Sequence, residues 1–186
     1  MNARLSVVAA VLALASCTGP STPAATIYAD PIAWANVYCN GTLRANMAGR
    51  EMDPQNLADP AGYKESLLKV QAAAAEAYSE SARQLDGLGP PGPDAVEAHK
   101  NLVQFVRDLA DHATRYEARL RAIEPDAEFH ANVEKMVASL TDLSTIERTQ
   151  DIVKAFAVNP AYIDALQNAP KCVEIRDRTL ANPPTN

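Results

Sequence analysis

Histidine, cysteine and aromatic residues are scarce in this chain of 186 residues, which holds three histidines, three cysteines, one tryptophan, three phenylalanines and six tyrosines. The scarcity narrows the chemistry. No C-x-x-C or C-x-x-C-H occurs, so neither a dithiol redox motif nor an attached haem is indicated. Glu-x-x-His, the ligand motif of di-iron bundles, is absent, and so is the G-x-S-x-G nucleophile elbow. Positive charge is also lacking, with 17 Lys and Arg against 23 Asp and Glu for a net charge of −6. No basic stripe interleaved with aromatics is present, which excludes nucleic acid as an expected partner and gives the folded body no pull toward anionic lipid. Alternating strand patterns of convincing length and internal repeats are missing too. Few aromatics and many alanines together predict a tightly packed helical bundle, with no cofactor pocket expected.

One short apolar run stands out. Arg4 precedes the stretch Leu5 to Ala13 (LSVVAAVLA), which is followed by Leu14-Ala15-Ser16-Cys17. A bilayer-spanning helix needs about 20 apolar residues, so this run is too short to be one. A positive n-region, a short h-region and small residues before a cysteine resemble the signal peptide and lipobox of a bacterial lipoprotein. That resemblance implies cleavage before Cys17, attachment of a diacylglyceryl group to its sulfur, and a place on the extracytoplasmic face of the cell membrane. Two or more acyl chains anchor a domain stably without a transmembrane helix. An ordinary secretory signal, cleaved after Ala15 or Ala25, is the alternative. The expected organisation is therefore a signal peptide at 1–16, a small, polar, proline-bearing flexible tether at 17–29, a helical domain at 30–181 and a frayed tail at 182–186. A chain of this length builds one domain with a real core.

Lipidation of Cys17 leaves Cys39 and Cys172 as the two thiols of an oxidising compartment, and they are expected to pair. Their bridge would tie the first helix to the last. Closing so long a loop is worth about 5 kcal/mol by the chain-entropy relation, an upper figure.

Asp or Asn followed by Pro recurs as a helix-start signal at Asp30-Pro31, Asp59-Pro60 and Asn159-Pro160, where the first residue caps and proline takes the first helical position. This punctuation predicts an all-α protein, an antiparallel bundle of four to five helices closed by one disulfide. A first helix over 31–48 would place Ile32, Ala35, Cys39, Leu43 and Met47 inward. A second over 61–85 carries Leu67, Ala74, Ala75, Tyr78, Ala82 and Leu85, and ends at a Gly-Pro-rich turn, 87–93, that cannot continue a helix. The third, 94–123, has the clearest apolar arc, from Leu102, Phe105 and Val106 through Leu109, Ala113 and Tyr116 to Leu120 and Ile123. A fourth, starting near Asp126, brings Phe129, Val133, Met136, Val137 and Leu140 inward and should run antiparallel to the third. Ser144 and Glu147 resemble a capping box opening a helix over 145–157 with Ile146, Val153 and Ala157 inward. Short helical pieces then follow Asn159-Pro160 and Pro170, the last over 171–180 and bearing Cys172.

Candidate sites are few. His99 and His112 fall about 140° apart on the third helix, at about 100° per residue, and do not converge on one ion. The pairs Asp108/His112 and His130/Glu134 sit about 10 Å apart along a helical hairpin, at about 1.5 Å per residue, so surface or boundary histidines are expected and no metal site. Carboxylate pairs such as Glu51/Asp53, Asp108/Asp111 and Asp126/Glu128 read as solvated helix faces, and no enzymatic constellation assembles. Trp34, Val37 and Tyr38 form a second apolar stripe on the first helix. Either that helix lies between neighbours and buries both stripes, or Trp34 and Tyr38 form an exposed patch beside the tether that contacts a partner or lipid.

The lipobox, the W-x-x-x-Y-C segment ending at Cys39, the L-x-x-L-G-P-P turn from Leu85 to Pro91 and the A-P-x-C segment from Ala169 to Cys172 resemble small alanine-rich lipoproteins of actinobacteria, including mycobacteria. The resemblance implies place and architecture, and carries over no catalytic residue. The expected function is non-enzymatic: a binding or envelope-interaction module anchored to the membrane through Cys17, meeting an envelope protein or a hydrophobic ligand. The alternative is a carrier holding a lipid or hydrophobic small molecule between its helices.

Overall fold

The computed structural model describes residues 28–50, 58–140 and 144–181. Seven α-helices occur among them: α1 (Pro31–Arg50), α2 (Pro60–Leu88), α3 (Val96–Arg121), α4 (Phe129–Leu140), α5 (Ser144–Ala157), α6 (Pro160–Asn168) and α7 (Pro170–Ala181). The fold is the all-α bundle expected. Its helix count exceeds four to five because the short pieces expected after Asn159-Pro160 and Pro170 are helices in their own right, α6 and α7, beside α5.

The three Asx-Pro signals act as read. Asp30 accepts a hydrogen bond from the Ala33 amide at 2.8 Å, Asp59 from Gly62 at 2.9 Å and Asn159 from Ala161 at 3.0 Å. α7 starts differently, since Ala169 has no capping side chain. The amide of Lys171 instead donates to Oδ1 of Asn36 on α1 at 3.0 Å. The Ser144 side chain of the suggested capping box lies outside the described side chains.

α2 is the middle helix of the main layer, packed antiparallel against both α1 and α3. The α1–α2 contact is close because it is built from small residues: Gly41 faces Ser81 and Ala77, and Ala45 joins Ala74, Ala77 and Ala113 in one buried cluster. α4 folds back on α3, seating Phe129, Val133 and Met136 around Leu120. α7 runs parallel to α1, because contacts advance along both together, from Asn36 with Lys171 to Met47 with Arg178. The disulfide Cys39–Cys172 lies between them, with Cα atoms 5.0 Å apart and 133 residues of sequence separation. Both cysteines are buried.

The largest fully buried side chains are Trp34, Phe129, Leu85, Leu102 and Leu120. Three inward assignments from periodicity differ. Ile32 and Val137 are 38% and 39% exposed, each at the margin of its helix's apolar stripe. On α5 it is Phe156, not Ala157, that enters the core, with Ile152 one turn before it. The ring of Phe156 packs 4.7 Å from that of Trp34, and an aromatic ring buries far more apolar area than the methyl of Ala157, so it sets the rotation of the helix. The side chains of Ile146 and Val153 lie outside those described.

Candidate functional site

The polar chemistry of the fold concentrates where α1 begins, α3 begins and α5 passes into α6. Trp34 stands at its centre. Its indole lies between Phe156 and Tyr38, and its Nε1 donates to Nδ1 of His99 at 3.1 Å. His99 is 7% exposed. An Nδ1 that accepts cannot carry a proton, so any ring proton sits on Nε2. Burial holds the imidazole pKa below the ordinary histidine value, and the carboxylate of Asp86 only partly opposes this.

Beside it, Asp94 accepts from the hydroxyl of Tyr162 and, at 2.9 Å, from Nδ2 of Asn159. These two donors hold the Asp94 carboxyl below its usual range. Burial, together with the charge of Asp94, pushes the Tyr162 phenol up to about 12, so at neutral pH Tyr162 is a donor. The ring of Tyr162 crosses the backbone of Gly92 so closely that a Cβ there would collide with its hydroxyl. The Gly-Pro-rich turn is thus an ordered seat for α6, and Pro90, Pro91 and Gly92 are buried. No buried side-chain nitrogen or oxygen among the described residues lacks a hydrogen-bond partner. The polar groups of this region are taken up by one another.

Cys17 lies outside the described residues. Cys39 and Cys172 are paired. Trp34 and Tyr38 do not form an exposed patch: Trp34 is 2% exposed and Tyr38 is half-buried against it. α1 packs against α2, α6 and α7, so of the two readings of this stripe it is the buried one that the fold realises at Trp34, and the exposed Trp34–Tyr38 contact patch is not formed. His99 is likewise in the core rather than at the surface or boundary. Its position was visible in the sequence, because it stands three residues before Leu102 and seven before Val106, on the same helical stripe. Its pairing with Trp34 across 65 residues had no local signal.

The other two histidines go separate ways. His112 meets the Leu140 carbonyl at 3.4 Å, and His130 stacks on Tyr63 with ring centroids 5.1 Å apart. Asp108 is held by Arg148 at 2.7 Å and Gln104 at 2.8 Å. Among the described residues no group of three His, Cys, Asp or Glu side chains is placed to hold a metal ion, and no helix is long and apolar enough to cross a membrane. Glu51 and Asp53 lie outside the described residues.

Three surface depressions are shallow and charged. The largest, about 580 Å³, sits at the α3–α4 turn among Arg119, Glu124, Asp126 and Lys135. One of about 270 Å³ lies between α3 and α5 beside Arg148 and Asp151, and one of about 240 Å³ between α2 and α3 beside Asp86 and Arg107. Opposite charges line each, so none selects an ion of one sign.

Comparison with known proteins finds no matching family, curated sequence or solved structure.

Proposed function

We propose that the chain is a lipoprotein of the actinobacterial type, anchored through Cys17 on the extracytoplasmic face of the membrane, whose helical bundle is a non-enzymatic module for interaction within the cell envelope. The observation that carries this reading is the order of segments at the N-terminus: a basic residue, a nine-residue apolar run and Leu14-Ala15-Ser16-Cys17. The Cys39–Cys172 bridge supports it, since such bonds persist in oxidising compartments. Charged, open depressions favour a module that works through its surface over a carrier with a ligand between its helices.

Fractionation of cells making the wild-type chain or Cys17→Ser tests the anchor. The wild type is expected in the membrane and Cys17→Ser in the soluble fraction; a variant that stays membrane-bound would sink the lipidation reading. A native mass spectrum of the wild type extracted from its own membranes tests the module. Added mass is expected at Cys17 alone. Mass that survives extraction and leaves on denaturation would identify a held ligand and establish the carrier instead.

A further inference from the structure

Six large hydrophobic side chains are exposed among the described residues, and four of them, Tyr28, Ile32, Val96 and Val158, belong to one end of the bundle. Two contacts bring their segments together. The amide of Ala29 donates to the Pro90 carbonyl at 2.9 Å, which joins the entry to α1 to the turn before α3. Asn159 donates to Asp94 at 2.9 Å, which joins the α5–α6 turn, with Val158, to the start of α3, with Val96. Val158 is 75% exposed, and Tyr28 and Val96 are each 46% exposed. Clustered exposed apolar groups mark contact surfaces, whereas single ones are ordinary.

We infer that this end of the bundle rests on the lipid surface of the membrane, with Tyr28, Ile32, Val96 and Val158 as its contact residues. The inference rests on the lipidation of Cys17, and the chain length makes the argument. Tyr28 follows Cys17 by eleven residues, a span of at most about 40 Å when fully extended. The chain enters the bundle at this same end. The far end is separated from it by α3, whose 26 residues are about 39 Å long at about 1.5 Å per residue. Eleven residues of tether span on the order of 20 Å on average, about half the length of α3, so the apolar end is held nearest the lipid at a high local concentration. Tyrosine suits the site, because its ring and hydroxyl favour the boundary between hydrocarbon and headgroup.

Charge at this end does not supply the attraction. Asp30 and Asp94 keep their negative charges while accepting hydrogen bonds within the fold, and exposed Glu97 is offset by exposed Lys100, so these groups offer no attraction to anionic headgroups. The contact is apolar, so on neutral lipid salt leaves it unchanged, and anionic lipid does not strengthen it.

The test uses the full lipidated chain carrying Val158→Cys, Val96→Cys or, as reference on α7, Leu180→Cys, whose parent side chain is also 75% exposed. The introduced cysteine is the only free thiol, since Cys39 and Cys172 are paired and Cys17 carries lipid. Each variant is labelled with a nitroxide in phosphatidylcholine vesicles, and collision rates with oxygen and with a water-soluble nickel complex are compared. The oxygen-to-nickel ratio is expected to be several-fold higher at 158 and 96 than at 180, with no change on adding salt to the phosphatidylcholine vesicles and no increase on adding phosphatidylglycerol. Equal ratios at all three positions would refute the surface. So would immobilisation of the 158 label that grows with protein density, which would make this end a contact between copies. The mass of Cys17 is measured in the same sample: an unmodified Cys17 removes the anchor and this inference together, whereas a lipidated chain with water-exposed labels removes the inference alone.

Discussion

Two glycine-to-alanine substitutions, Gly41→Ala and Gly87→Ala, should move stability in opposite directions although both lie in α-helices. Helix propensity favours alanine over glycine by about 0.8–1.0 kcal/mol in a helix interior, and that term alone makes both changes stabilising. Packing separates them. A Cβ on Gly41 would stand 2.5 Å from Cβ and 2.6 Å from Oγ of Ser81, closer than such atoms approach in proteins. Neither atom is the free end of a long side chain, so α1 and α2 must move apart. Overpacking of this kind costs about 1–3 kcal/mol, which outweighs the propensity gain and leaves a net loss of up to about 2 kcal/mol. Gly87 meets nothing within 4 Å, and its φ is not positive. Alanine there should therefore gain a few tenths of a kcal/mol, less than in a helix interior, because Leu88 ends the helix. At about 2–4 °C per kcal/mol for a domain of this size, thermal denaturation should show Gly41→Ala lower by up to about 8 °C and Gly87→Ala slightly higher. Ser81→Gly in the Gly41→Ala background removes both close atoms and should recover most of the loss. A rise in Tm for Gly41→Ala, or no recovery in the double variant, would refute the close α1–α2 contact.

Reduction of the Cys39–Cys172 bridge, or its removal by Cys39→Ala with Cys172→Ala, should lower stability by up to about 5 kcal/mol on the chain-entropy relation. Urea midpoints of oxidised and reduced protein that coincide would show that the bridge does not restrain the chain. His99 predicts a pH dependence. Its folded-state pKa lies below that of the unfolded chain, about 6.5, so the unfolded chain takes up the proton first. The stability contribution is full above about pH 6.5 and falls as the pH drops below it. Protonation also turns Nδ1 into a donor facing the Trp34 N–H. Trp34 is the only tryptophan, so its fluorescence in urea titrations between about pH 7.5 and 5 reports the effect directly. Wild type should lose stability across that window and His99→Gln much less; equal slopes would overturn the assignment.

What could be read from the sequence divides along the distance over which each feature is encoded. Helix starts were legible because an Asx side chain and the amide it caps stand two or three residues apart, and proline at the first helical position reinforces the signal. The arc of α3 was legible because a long helix repeats its pattern over many turns. The disulfide was legible by elimination rather than geometry, since two thiols remained once Cys17 was set aside. Features that depend on a partner far along the chain were not. Phe156 entered the core because Trp34, far earlier in the sequence, offers it a face, while the local stripe of α5 pointed elsewhere. His99 fell on an apolar stripe and was read as a polar residue, yet the Trp34 N–H needs an acceptor that no apolar residue supplies. α7 shows the limit most plainly. Ala169-Pro170 has the proline of a helix start without a capping side chain, and the missing acceptor is Asn36, separated from the Lys171 amide it caps by 135 residues. Asn36 lies three residues before Cys39, and Lys171 immediately before Cys172. The bridge and the borrowed cap therefore fix the same crossing of α1 and α7, the bond by restricting separation and the amide contact by fixing where along α1 the last helix begins.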